Sequence, residues 1–159
     1  MTHAYGRLFR GNVTLDGAGV ELVRLFGYSD APLFDPFLLL DEFGSTDPER
    51  YLAGFPWHPH RGIETVTWML SGQVRHRDSL GNSGVIGQGD VQWMTAGGGI
   101  IHEEMPLAVP DRLRGMQLWV NLPAADKMIA PRYRDLAAAS IPVIERDGSR
   151  VAVIGGTWQ

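Results

Sequence analysis

Short apolar runs separated by turn residues follow one another along most of the chain, and this pattern predicts β-strands. The clearest strand covers residues 63–70 (IETVTWML), which is rich in β-branched and aromatic side chains and ends at Ser71 and Gly72. We expect residues 74–77 to return antiparallel to it across the turn at 71–73. Further strands are predicted at 20–25, 37–40, 91–95, 100–105, 116–120 and 151–154.

Helical patterns are scarce by comparison. Only residues 124–140 have a composition that suits a helix, and Pro131 interrupts them. Because no helical segments alternate with the strands, a parallel α/β sheet is not expected. The 20 glycines and 10 prolines fall between apolar runs, as turns would require. The sequence therefore predicts one all-β domain over residues 1–159, an antiparallel jelly roll or β-barrel.

The composition limits which partners the protein can bind and which kinds of metal ligand it can offer. The net charge of −4 and the pI of about 5.7 argue against direct binding to a nucleic-acid backbone. No apolar run approaches the ~20 residues that cross a bilayer, and the N-terminal residues lack the pattern of a signal peptide, so we expect a cytoplasmic protein. The absence of cysteine excludes disulfides and thiolate ligands. His3 is expected to lie in a disordered terminus.

Two short motifs carry candidate metal ligands. Side chains two positions apart on a strand point to the same face, so His58 and His60 would project together, and Pro59 favours an extended backbone at His58. By the same alternation, His102 and Glu104 would share a face. Neutral imidazoles with a carboxylate suit Fe, Mn, Ni, Cu or Zn.

Glu64 competes with Glu104 for the role of carboxylate ligand. It follows His60 by four residues and would have the same strand parity as both histidines of the first motif. Alternation along the strands does not choose between Glu64 and Glu104.

Other residues have plainer interpretations. Most tryptophans are expected to be core, with Trp57, next to His58, as the best candidate for a pocket wall. Met69 and Met94 are expected to fill the core. His76 lies in a polar strand end and is interpreted as an exposed or pocket-rim residue and not as a ligand.

The long ordered motifs resemble the pirin family, a branch of the cupin superfamily. The first is GFPWHPHRGIETV at 54–66 and the second is GDVQWMTAGGGIIHEEMP at 89–106. A third, LWVNLP at 118–123, is followed by Lys127, Met128, Pro131 and Tyr133.

The resemblance implies a cupin barrel in which His58, His60, His102 and Glu104 hold one divalent transition-metal ion. Iron, as Fe(II), is the first expectation, with Mn, Ni, Cu, Co or Zn as alternatives. Glu64 would then lie behind the ligands and orient one of them or a water. Pirins usually have two cupin domains, and this chain resembles the N-terminal, metal-binding one. The face that would meet the second domain is expected to be exposed or buried in an oligomer such as a homodimer.

Two functions follow from the resemblance. The first is a quercetin 2,3-dioxygenase type of enzyme that opens a small aromatic enol with O₂, with Glu104 or Glu64 as general base. The alternative is a non-enzymatic, metal- or redox-dependent regulator that binds a transcription factor or an enzyme. For the alternative we expect a basic patch near the metal, built from Arg61, Arg75 and Arg77.

Overall fold

A computed structural model describes residues 8–158 of the chain, so His3 lies outside the described residues. Nearly all regular structure in this part is strand. The strands are β1 (Asn12–Asp16), β2 (Val20–Phe26), β3 (Phe37–Phe43), β4 (Phe55–His60), β5 (Ile63–Ser71), β6 (Val74–Asp78), β7 (Ser83–Ile86), β8 (Val91–Thr95), β9 (Ile100–Pro106), β10 (Arg114–Asn121), β11 (Arg132–Leu136), β12 (Val143–Arg146) and β13 (Ser149–Ala152). One short helix, α1 (Ala31–Phe34), and 3₁₀ turns at Pro48–Arg50, Ala124–Asp126 and Ala138–Ser140 complete the elements.

The strands form two main antiparallel sheets. One has seven strands in the order β1-β2-β3-β10-β5-β8-β11, and the other has four in the order β4-β9-β6-β7. Strands β12 and β13 pair with each other in a separate hairpin. The predicted all-β, antiparallel fold class is confirmed. No helix within residues 8–158 is long and apolar enough to cross a membrane.

The predicted hairpin between β5 and β6 is wrong. Strand β5 pairs with β10 and β8 in the large sheet, whereas β6 pairs with β9 and β7 in the small one. The chain changes sheet at Gly72, whose φ of +78° is a conformation that favours glycine. A Cβ atom at Gly72 would lie 2.6 Å from Leu113 Cδ1, and Leu113 is fully buried. The turn therefore packs against the core through Gly72.

The predicted helix at 124–140 is also wrong. Two 3₁₀ turns flank strand β11, which pairs with β8 and places Tyr133 opposite Met94. Pro131, immediately before β11, removes a helical hydrogen-bond donor and suits an extended entry. Pairing with β8 supplies the backbone hydrogen bonds that a helix would otherwise have made.

The core lies between the two sheets. Met69 from β5 is fully buried with Val74 from β6 and Ile86 from β7, so residues of both sheets share one apolar cluster. A second cluster contains Met94 and Ile100. Burial of Met69 and Met94 agrees with their predicted core role. Polar residues occupy the remaining space between the sheets, and they form the candidate site.

Candidate metal centre

Three histidines meet between the two sheets. His58 and His60 lie on β4, and His102 lies on the neighbouring strand β9, directly opposite His58 in the register. One ring nitrogen from each of the three lies within 4.8 Å of the other two. Metal–imidazole bonds of about 2.1 Å would place such nitrogens within about 4.2 Å of one another, so only a small inward adjustment is needed to surround an ion. The three imidazoles therefore form a candidate metal site.

Burial keeps two of these imidazoles in the neutral form that binds metals. His60 is 7% exposed, and desolvation together with the neighbouring His102 and His58 lowers its pKa to about 4, although Glu104 acts in the opposite direction. Desolvation also lowers the pKa of His102, against the influence of Glu104. Both side chains are neutral at pH 7, so neither must lose a second ring proton before it binds a cation.

Hydrogen bonds to the outer ring nitrogens orient two of the histidines. His58 Nδ1 lies 2.8 Å from the carbonyl oxygen of Pro56, which can only accept, so Nδ1 carries a proton and Nε2 is the nitrogen left to face a metal. His102 Nδ1 lies 3.0 Å from the hydroxyl of Tyr133. Its Nε2 is buried and has no hydrogen-bond partner within residues 8–158. Buried polar atoms rarely lack a partner, and a bound cation at the centre of the cluster would supply it.

Glu104 stands next to the cluster with its carboxylate already held. Its Oε2 lies 3.9 Å from His102 Nε2, and the side chain is almost completely buried. Burial raises the pKa of Glu104, but His102 and the hydrogen bond from Gln117 outweigh burial and hold the pKa below its usual value. The carboxylate is therefore charged at neutral pH and offers the anionic oxygen that a transition-metal cation favours.

A hydrogen-bonded chain of side chains fixes that carboxylate. Gln117 Nε2 lies 3.0 Å and 2.9 Å from the two oxygens of Glu104, and the hydroxyl of Thr67 donates to Oε1 at 3.1 Å. The indole N–H of Trp119 donates to Gln117 Oε1 at 3.0 Å, so the amide must turn its NH₂ group toward Glu104. The ring of Trp119 also packs edge-on against His60 at 5.0 Å. Strand β10 thus holds the carboxylate of Glu104 and packs against the imidazole of His60.

Glu64 is neither in the histidine cluster nor among the residues that line the cavity. Its carboxylate accepts a hydrogen bond from the Thr95 hydroxyl at 2.6 Å. Thr67, on the same strand, reaches the site, so Glu64 with the opposite parity faces the other side of the sheet. The parity inferred from sequence fails because β4 ends at His60, and Gly62, with φ of +69°, separates it from β5. This geometry favours Glu104 over Glu64 as the carboxylate of the site.

The structure also corrects the interpretation of His76. This residue is 2% exposed, and its ring stacks on Tyr133 with centroids 5.6 Å apart. Its Nε2 lies 3.4 Å from Asp135 Oδ2. His76 points inward because the alternation along β6 exposes Arg75 and buries the next residue. It therefore packs behind the candidate site and does not lie at the rim.

A cavity of about 830 Å³ opens onto the site. His58, His60 and Glu104 lie in its wall, together with the aromatic side chains of Phe55, Trp57, Trp119 and Tyr28 and with Arg61, Asn121 and Lys127. The predicted pocket role of Trp57 agrees with this lining, and Trp119 is a second tryptophan in the cavity wall. The cavity is within the size range of small-molecule sites, and its mixture of aromatic walls with a few polar groups is typical of them.

Sequence reasoning did not find Gln117, Thr67 and Tyr133 as parts of the site. One signal existed in β10, where Gln117 and Trp119 alternate with apolar residues and must share a face. Thr67 and Tyr133 had no such signal, because their roles depend on which strands meet across the interior.

Known proteins resemble this chain in sequence and in fold. The family profile named Pirin matches residues 19–120. A "Pirin-like protein" from Caulobacter vibrioides is 55% identical over 154 residues, which are 96% of this chain and 56% of that protein. A crystal structure of quercetin 2,3-dioxygenase from Acinetobacter baumannii has a TM-score of 0.83 at 40% identity, covering 94% of this chain and 56% of that one.

A nickel complex is among the similar structures. The bacterial pirin YhhW from Escherichia coli in complex with nickel(II) has a TM-score of 0.64 at 28% identity, covering 80% of this chain and 56% of that one. The chain thus spans about half the length of the relatives it matches. The profile match covers more than half of the sequence, and the motifs around all three histidines lie within it. The chain belongs to the pirin family.

Proposed function

We propose that this chain binds one divalent transition-metal ion through His58, His60, His102 and Glu104, and that it acts as an oxygenase of the quercetin 2,3-dioxygenase type on flavonol-like enols. The observation that carries the proposal is the aromatic-lined cavity of about 830 Å³ with His58, His60 and Glu104 in its wall. The likeness to the Acinetobacter baumannii enzyme supports the same reaction class. Fe(II) is the first candidate for the ion, and the nickel complex of YhhW supports Ni(II) as an alternative.

Each side chain of the site has a separate role in the proposed reaction. A bound ion supplies Lewis-acid chemistry, which lowers the pKa of an enolic hydroxyl placed against it. Glu104 is charged, faces the cavity and accepts the proton of that hydroxyl as general base. Gln117 and Thr67 keep the carboxylate in place while its charge changes, and Trp119 provides a flat wall for an aromatic ring.

The overall reaction needs no external reductant. Both atoms of O₂ remain in the ring-opened ester, and one carbon of the flavonol leaves as carbon monoxide. One O₂ is therefore consumed for each carbon monoxide released, and the substrate supplies all the electrons.

Gas measurements test the proposal directly. The purified chain is loaded in turn with Fe(II), Mn(II), Ni(II), Cu(II) and Co(II), and O₂ uptake and carbon monoxide release are followed with quercetin. We expect a one-to-one ratio of the two gases with at least one metal. Glu104→Gln should slow the reaction, whereas Glu49→Gln, which removes an exposed carboxylate on a 3₁₀ turn, should leave the rate unchanged. If quercetin is not turned over with any of the five metals, the oxygenase is excluded.

One observation favours the regulatory alternative. The guanidinium of Arg77 stands 5.6 Å from the ring centroid of Trp57, which is 48% exposed and lines the cavity. Arg75 is exposed on the same strand, while Arg61 lines the cavity itself. Because Arg77 also pairs with Glu103 at 2.6 Å, Arg61 and Arg75 are the charges that would attract an acidic protein partner whose affinity depends on the ion. Partner binding that is unchanged after removal of the metal by a chelator would count against it.

A further inference from the structure

Tyr133 contacts the candidate ligand His102 from the side away from the metal position. Its hydroxyl oxygen lies 3.0 Å from Nδ1 of His102, so Nε2 is the nitrogen that faces the other histidines. Tyr133 comes from β11, the last strand of the seven-stranded sheet, whereas His102 lies on β9 in the four-stranded sheet. This hydrogen bond therefore joins the two sheets at the site.

The hydrogen bond can form with either of two histidine tautomers. If the phenol donates to Nδ1, the imidazole proton must lie on Nε2, where it would block a metal and would have no acceptor within residues 8–158. The nearest carboxylate oxygen, Glu104 Oε2, is 3.9 Å away and too far for a hydrogen bond. If Nδ1–H donates to the phenol oxygen, Nε2 keeps its lone pair and is ready to bind a cation.

The packing around Tyr133 fixes the position of its hydroxyl. The ring stacks on the buried ring of His76 at an interplanar angle of 16°, and the backbone is paired with β8. The hydroxyl is thereby held at one place behind His102.

We propose that Tyr133 is a positioning residue that accepts the Nδ1–H of His102 and so selects the tautomer in which Nε2 binds the metal. The backbone carbonyl of Pro56 accepts the Nδ1–H of His58 in the same way, but a side-chain substitution cannot remove it. The inference rests on the proposed metal site and assigns a new role to a residue outside the ligand set. Partners of this kind typically change metal affinity by about 10- to 100-fold.

Nitrogen NMR of the metal-free protein, labelled with ¹⁵N-histidine and held above pH 7.5, tests the tautomer without any turnover. In the wild type we expect the proton of His102 on Nδ1. In Tyr133→Phe, which keeps the ring stacked on His76 and removes only the hydroxyl, we expect a mixture of tautomers. His58 serves as an internal control, because its carbonyl partner is unchanged in the variant.

Zinc affinity, measured by competition with a chelating dye, provides the second readout. Tyr133→Phe should bind Zn²⁺ at least 10-fold more weakly than the wild type. Tyr51→Phe removes the hydroxyl of a fully buried tyrosine that lies outside the candidate site, and its affinity should stay within twofold of wild type.

Two results would overturn the inference. One is a wild-type His102 that carries its proton on Nε2, an outcome that needs no variant and so does not depend on whether Tyr133→Phe folds. The other is a variant with an unchanged tautomer and an unchanged Zn²⁺ affinity. Binding of Zn²⁺ with the expected tautomer, but without any reaction of quercetin, would overturn the oxygenase and leave the role of Tyr133 standing.

Discussion

The buried position of His60 should make the stability of the metal-free protein depend strongly on pH. His60 is 7% exposed and has a pKa of about 4 in the folded protein, compared with 6.5 for an unperturbed histidine. Between these two values the unfolded chain binds a proton at His60 and the folded chain does not. The free energy of unfolding should therefore fall as the pH falls from about 6.5 to about 4.

The expected size of this effect follows from the difference in pKa. A gap of about 2.5 between 6.5 and about 4 corresponds, at 1.36 kcal/mol for each pKa unit, to about 3 kcal/mol. This is a large part of the 5–15 kcal/mol that is typical of folded domains. Desolvation is the main cause, followed by the nearby imidazoles of His102 and His58.

Urea unfolding of chelator-treated protein at several pH values between 7 and 4.5 measures the effect, with His60→Gln as the comparison. The variant removes the titrating group but keeps a polar side chain, so its loss of stability on acidification should be smaller than that of the wild type. Any cost of the substitution that does not depend on pH cancels, because only the change between pH values is compared. Parallel curves for the two proteins would refute the reasoning.

Three further predictions concern the site and the residues packed behind it. Untagged wild-type protein should contain stoichiometric metal by elemental analysis, and His58→Ala should lose it, because one of the three clustered imidazoles is removed. Gln117→Leu should lower the free energy of unfolding by about 1–3 kcal/mol, measured in urea, because a buried carboxylate loses a donor to both of its oxygens. Gly84→Ala should also destabilise by about 1–3 kcal/mol, since a Cβ atom there would lie 2.6 Å from Nε2 of the buried His76. Gly87→Ala is the matched control, because its nearest contact would be 3.6 Å and thermal unfolding should shift little.

Local pattern was sufficient for many strands and for the grouping of the histidines. The prediction of a strand at 91–95 agrees with β8 (Val91–Thr95), and that at 100–105 agrees with β9 (Ile100–Pro106) to within one residue. Side chains two positions apart on a strand share one face, which is why the sequence alone could place His58 and His60 together.

Features that depend on distant pairing could not be predicted in this way. At the sheet change, Gly72 packs against the buried Leu113, which lies far along the chain. Strand β11 exists because it can pair with β8, although its own residues alternate weakly in burial. The parity assigned to Glu64 failed for the related reason that alternation cannot be counted across a turn with positive φ.

The direct opposition of His58 and His102 has a consequence for how this protein can change over evolutionary time. Both residues belong to a backbone ladder, and a shift of one position in either strand would turn an imidazole to the wrong face. Part of the cavity wall comes from outside that ladder, including Tyr28, whose side chain is largely exposed. Selection for a new substrate can therefore act at such positions while affinity for the ion is retained.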